Sequence, residues 1–146
     1  MRRGTPLLLA IVIAAGCGES KSDRLTRQQY SDKADAICTK YKQKTNALSR
    51  PATLSDLADV ADQVLPLLRK ARGELRALRP PQDELTKANA WLAQFDVIID
   101  DVQKIRDKAK QNDRTGVQAA ATPALEHNQH ANVLAAQLGM KVCSKD

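Results

Sequence analysis

Apolar residues recur at helical spacing in four separate stretches of this chain, and polar, proline- or glycine-containing segments divide them. In the first stretch Tyr30, Ala34, Ile37, Cys38, Tyr41, Thr45 and Leu48 share one face. Thr26-Arg27-Gln28-Gln29 has the form of a capping box, so the spacing predicts a helix over 26–49 with Thr26 at its N-cap. Beyond Arg50-Pro51 a second helix is expected from about Thr53, with Leu54, Leu57, Ala61, Val64, Leu65, Leu68, Ala71, Leu75 and Leu78 on its stripe. Pro66 falls inside that stripe without shifting its phase, which predicts a kink over 62–66 rather than two helices. Arg79-Pro80-Pro81 ends it.

The third helix is expected over 81–112, with Leu85, Ala88, Leu92, Phe95, Ile98, Ile99, Val102, Ile105 and Ala109 inward. Asp113-Arg114-Thr115-Gly116 reads as a turn. A fourth helix follows over 117–138, interrupted by Pro123 and closed by Gly139, with Leu125, Ala131, Leu134 and Leu138 facing the core. Four amphipathic segments on short connections predict an all-α fold, an up-down-up-down four-helix bundle. One Trp, one Phe and two Tyr agree with closely packed helices rather than a sheet. Charge order agrees with antiparallel neighbours. Helix 2 runs from Asp56, Asp59 and Asp62 to Arg69, Lys70, Arg72, Arg76 and Arg79, and helix 3 from Asp83 and Glu84 to Lys104, Arg106, Lys108 and Lys110. These charge runs read as solvated faces, not as a ligand-binding patch.

The segment ahead of the first helix has a different character. Arg2 and Arg3 precede an apolar run over 7–15, about nine residues where a membrane span needs about 20. Ile13-Ala14-Ala15-Gly16-Cys17 ends the run and resembles the lipobox of bacterial lipoproteins, with Ala14 where Leu is commonest. Residues 1–16 are therefore expected to be a lipoprotein signal peptide. Residues 17–25 would be a lipidated Cys17 and a flexible tether, and 26–146 the bundle domain. The polar stretch 18–25 would reach at most about 26 Å.

Cysteine parity points the same way. Three cysteines in an oxidising compartment leave one unpaired, and acylation of Cys17, by palmitate among other chains, accounts for it. Cys38 then pairs with Cys143. Cys38 would lie about 18 Å along helix 1 from Thr26, so either the tail after Gly139 folds back along that helix or helix 1 overhangs the bundle. Removing Arg2 and Arg3 with the signal lowers the basic residues from 23 to 21 against 17 acidic, a mature charge of +4 in place of +6. The expected location is the outer face of the cytoplasmic membrane, held through the N-terminal lipid. An envelope protein is a possible partner, and nucleic acid is not a partner there.

Candidate chemistry changes this picture little. The chain has no CxxC, CxxCH, HExxH, phosphate-binding glycine loop or GxSxG, so no enzyme activity and no cofactor is expected. Asp96, Asp100 and Asp101 flank the helix 3 stripe and read as solvated carboxylates. Glu126-His127-Asn128-Gln129-His130 interrupts the stripe of helix 4, with His127 or Asn128 inward and His130 toward the flank. His127 and His130 are the candidates for a second reading, a metal or small-ligand sensor. The double variant is expected to fold unchanged, and a metal would need a carboxylate such as Asp35 or Asp100 beside them.

Several of these segments together resemble a known family. Tyr30 with Ala34-Asp35-Ala36-Ile37-Cys38, then Leu75-Arg76-Ala77-Leu78-Arg79-Pro80-Pro81, Trp91, and Leu138-Gly139 to Cys143 are similar to small envelope lipoproteins found mainly in actinobacteria. The resemblance spans nearly all of the mature chain. It implies the bundle, the location and the Cys38–Cys143 pair. It supplies no activity.

Overall fold

A computed structural model describes residues 23–145 of the chain. The expected signal peptide and Cys17 lie outside the described residues. Four helices make up the fold, α1 (Arg27–Asn46), α2 (Leu54–Ala77), α3 (Leu85–Lys110) and α4 (Arg114–Gln137), with a 3-10 turn at Gln82–Glu84 leading into α3. No strand occurs among the described residues, and none of their helices is long and apolar enough to cross a membrane.

Local chemistry sets the boundaries. The Thr26 hydroxyl accepts from the Gln29 N–H, and Gln29 Oε1 accepts from the Thr26 N–H, the capping box expected from the sequence. Thr53 and Asp56 form a second box at the start of α2. Bonds from the Thr53 side chain, then from the Thr53 and Ala52 N–H groups, hold the Asp56 carboxyl below the usual range.

α4 departs from expectation at its start. Asn112 turns the chain in the left-handed region at φ 55°, and Asp113 caps the helix by accepting from the Gly116 N–H at 2.8 Å. The turn over 113–116 is therefore the first turn of α4, which begins three residues early because an aspartate, not the glycine, governs the site. Pro123 does not interrupt α4, and Pro66 lies within a continuous α2. At the far end Gly139 adopts φ 82°. Met140 N–H reaches Ala135 O at 3.1 Å and Gly139 N–H reaches Ala136 O at 3.0 Å, the paired bonds of a glycine C-cap.

Cross-helix contacts fix the order of packing. Arg72 meets Asp96 at 2.6 Å, while Asp62 meets Lys110 at 2.7 Å and Arg106 at 3.5 Å, so α2 and α3 run in opposite directions. α1 joins α2 where Lys40 Nζ and Tyr41 Oη both donate to Glu74. Arg27 Nη2 donates to Gln137 O at 2.7 Å, bringing the end of α4 to the start of α1. The opposite charges expected at one end of the α2–α3 pair do meet. At the other end Glu84 is buried and pairs with Arg27 and Lys87, and Arg79 pairs with Asp23.

The core brings all four helices together at Tyr30, Ala34, Leu75, Ala88, Trp91, Ala131, Ala135, Leu138 and Met140. Alanines on α1, α3 and α4 let the backbones approach, and Trp91 fills the centre. Its ring stands edge-to-face with Phe95, centroids 5.3 Å apart. Leu125, expected inward, is 65% exposed. Ala131 and Ala135 are the buried residues of α4, so its inward face is narrower and lies nearer its C-terminus than the leucines suggest.

Tyr30 is 1% exposed, and its hydroxyl has no hydrogen-bond partner among the described residues. Burial pushes its phenol up to about 12. Between pH 10 and 12 the unfolded chain therefore loses this proton first, and the Tyr30 contribution to stability falls as pH rises through that window. Replacing Tyr30→Phe removes an unsatisfied buried group and is expected to raise stability by about 1 kcal/mol at pH 7. It should also flatten the loss of melting temperature between pH 9.5 and 11.5. A variant less stable than wild type in urea would show that the hydroxyl is satisfied.

Candidate functional site

Three places concentrate polar chemistry, and the first is built on Asp35. Residues 140–145 turn back along α1, the first of the two ways in which the cysteines were expected to meet. Lys141 N–H donates to Asp35 Oδ2 at 2.7 Å, and the Val142 and Cys143 N–H groups donate to Oδ1 at 2.9 and 3.0 Å. One carboxylate thus satisfies three successive backbone donors, as a charged cap does at a helix start. Lys42 Nζ adds a bond to Lys145 O. The Cys38 and Cys143 Cα atoms are then 5.4 Å apart and the two sulfurs are bonded. Within Ala34-Asp35-Ala36-Ile37-Cys38, Ala34 is packed in the core, Asp35 receives the tail and Cys38 locks it. A cleft of about 250 Å³ beside the disulfide, bordered by Tyr41, Leu68, Phe95 and Asn132, remains where the four helices and the tail come together.

The second place is the pair of His127 and Asp101. Asp101 is 3% exposed, which corrects its reading as a solvated carboxylate. Its Oδ2 lies 2.7 Å from His127 Nδ1, and because a carboxylate only accepts, Nδ1 carries the hydrogen. Lys104 Nζ stands at 3.7 Å from Oδ1. His130 is exposed, and Asp35 is engaged with the tail, so the grouping imagined for a metal is not assembled. Among the described residues no three His, Cys, Asp or Glu side chains are placed to hold a metal ion. The bond gives His127 a structural role that the sequence did not reveal. His127→Ala leaves Asp101 buried without its hydrogen bond and is expected to cost about 1–3 kcal/mol, while exposed His130→Ala stays within about 0.5 kcal/mol. Urea denaturation of the two single variants separates them, and equal losses would contradict this assignment.

The third place is a cleft of about 750 Å³ where the chain enters the bundle. Leu25 N–H donates to Arg79 O at 2.9 Å, Arg24 Nη1 to Pro80 O at 3.2 Å, and Arg79 Nη1 to Asp23 at 3.1 Å. The tether expected over 18–25 is thus stitched to the end of α2 along its last three residues. Arg24, Arg72, Arg76 and Arg79 line this cleft against Asp23 and Asp96, four positive charges to two negative. Leu78, Leu85 and Leu92 give it apolar walls. Arg72 bonds Asp96 through Nη2, while its Nε is buried with no acceptor among the described residues. The segment 75–81, which ends α2, contributes Arg76, Leu78, Arg79 and Pro80 to these walls. What the sequence could not show is that the start of α3 and residues 23–24 complete the enclosure.

Comparison of the chain with protein-family models, curated proteins and solved structures finds no match.

Proposed function

We propose that this protein is an exported lipoprotein, anchored through acylated Cys17 at the outer face of the cytoplasmic membrane. There it acts as a non-enzymatic helical binding or structural module of the cell envelope. The observation that carries the reading is the pairing of the cysteines. The bond between Cys38 and Cys143 accounts for two of the three, and the third is Cys17, which follows Gly16 directly after the apolar run. An interior bond of this kind belongs to an oxidising compartment, in keeping with export. Kinship with the small actinobacterial envelope lipoproteins that the chain resembles is part of the same proposal, as is a signal peptide over 1–16.

A rigid, cross-linked bundle with a lined cleft at its tethered end suits binding at the membrane surface more than turnover. No nucleophile, base and orienting group come together in the sites described above. Growth of an expressing bacterium with an alkyne analogue of palmitate should label the wild-type protein and leave Cys17→Ala unlabelled, with the variant lost from the membrane fraction. Equal labelling of both would refute acylation at Cys17.

A further inference from the structure

We infer that the arginine-lined cleft at the tethered end of the bundle binds the phosphate headgroup of an anionic phospholipid. Among the described residues that line it, four guanidinium groups outnumber two carboxylates, so this lining carries a net positive charge. Arg76 is exposed, and the side chains of Arg79 and Asp23 are 66% and 84% exposed where they meet, so that pair is weak and exchanges readily with another anion. A phosphate diester carries one full negative charge and accepts two parallel bonds from a guanidinium fork, so it can take the place of a carboxylate on these arginines.

The apolar walls distinguish this cleft from a site for a bare inorganic ion. Leu78, Leu85 and Leu92 offer surface to the glycerol and first acyl carbons that accompany a lipid phosphate. Position makes the lipid the natural source. Cys17 stands six residues before Asp23, which lines the cleft, so an acyl anchor at Cys17 keeps the cleft within about 22 Å of the bilayer surface even with the chain fully extended. A positive site so near an anionic leaflet is drawn toward it. That choice of source rests on the lipid-anchored reading, whereas the phosphate chemistry rests on the cleft alone.

The test therefore uses the full chain in a nonionic detergent, where binding does not depend on an anchor. Dihexanoyl phosphatidylglycerol, dihexanoyl phosphatidylcholine and inorganic phosphate are titrated separately, with affinity read by calorimetry and location by the Nε–Hε signals of the arginine side chains. Phosphatidylglycerol should shift the signals of Arg76 and Arg79 and saturate, binding roughly tenfold or more tighter than either of the other two. The double variant Arg76→Gln, Arg79→Gln should lose at least about tenfold in affinity at unchanged melting temperature. Asp96→Asn, which frees Arg72, should tighten binding by about threefold. Phosphatidylcholine binding as tightly as phosphatidylglycerol would overturn the inference. Inorganic phosphate binding as tightly would replace the lipid with a free anion, and undiminished affinity in the double variant would remove the cleft from the account. None of these outcomes bears on acylation of Cys17, which is read separately by palmitate labelling.

Discussion

Reducing the bond between Cys38 and Cys143 should lower the melting temperature by roughly 15 °C, the largest single effect expected for this fold. The bond joins residues 105 apart in sequence, so it closes nearly the whole bundle into one loop. On the chain-entropy account a loop of that length contributes about 5 kcal/mol by restricting the unfolded chain. The native contacts need not change on reduction, because Asp35 still receives the Lys141, Val142 and Cys143 N–H groups. The loss should therefore appear as a lower midpoint with the helical signal intact at 20 °C. Calorimetry with and without a phosphine reductant, and of the Cys38→Ser, Cys143→Ser variant, should give the same shift. A midpoint unmoved by reduction would mean that the bond does not form in the purified protein.

Replacing Trp91→Ala should cost about 3–5 kcal/mol. Trp91 is 1% exposed and is the largest fully buried side chain, in the cluster that joins all four helices. Its removal opens a cavity in the cluster that also holds Tyr30, Leu75 and Leu138, and deprives Phe95 of its edge-to-face partner. Trp91→Phe keeps an aromatic ring and should lose distinctly less. Far-UV circular dichroism in urea reads both variants, and a cost for Trp91→Ala below about 1 kcal/mol would contradict the placement of Trp91 at the centre.

Trp91 also shows how far the sequence could be read. The stripe expected for α3 passes through Leu92 and leaves Trp91 out, whereas Trp91 is the buried residue and Leu92 only half-buried, because which position is central depends on the neighbouring helices. Element type and connection order were legible because capping boxes, prolines and Gly139 act locally. The start of α4 was misplaced because Asp113 as a cap and Gly116 as a turn residue compete over the same four positions, and the aspartate prevails. Leu125 was misplaced because α4 buries mainly alanine, leaving its bulkier residues outside.

Polar partnerships were the least legible. Asp35 and Asp101 look like any helix-surface carboxylate in sequence, and their roles come from the returning tail and from His127, respectively 106 and 26 residues away. The arginine cleft was invisible for the same reason. Its residues come from the entering segment, the end of α2 and the start of α3, and each set of charges taken alone suits a helix dipole or a solvated face.

On the reading proposed above, Cys17 anchors the protein while Cys38 and Cys143 close the bundle. Intact-mass and peptide mass spectrometry of the unreduced protein, isolated from membranes of an expressing bacterium, tests both parts at once. The expected result is an N-terminal peptide that begins at Cys17 and carries acyl chains, together with a linked pair of peptides containing Cys38 and Cys143. An N-terminus at another residue, an unmodified Cys17, or alkylated free thiols at Cys38 and Cys143 would contradict it.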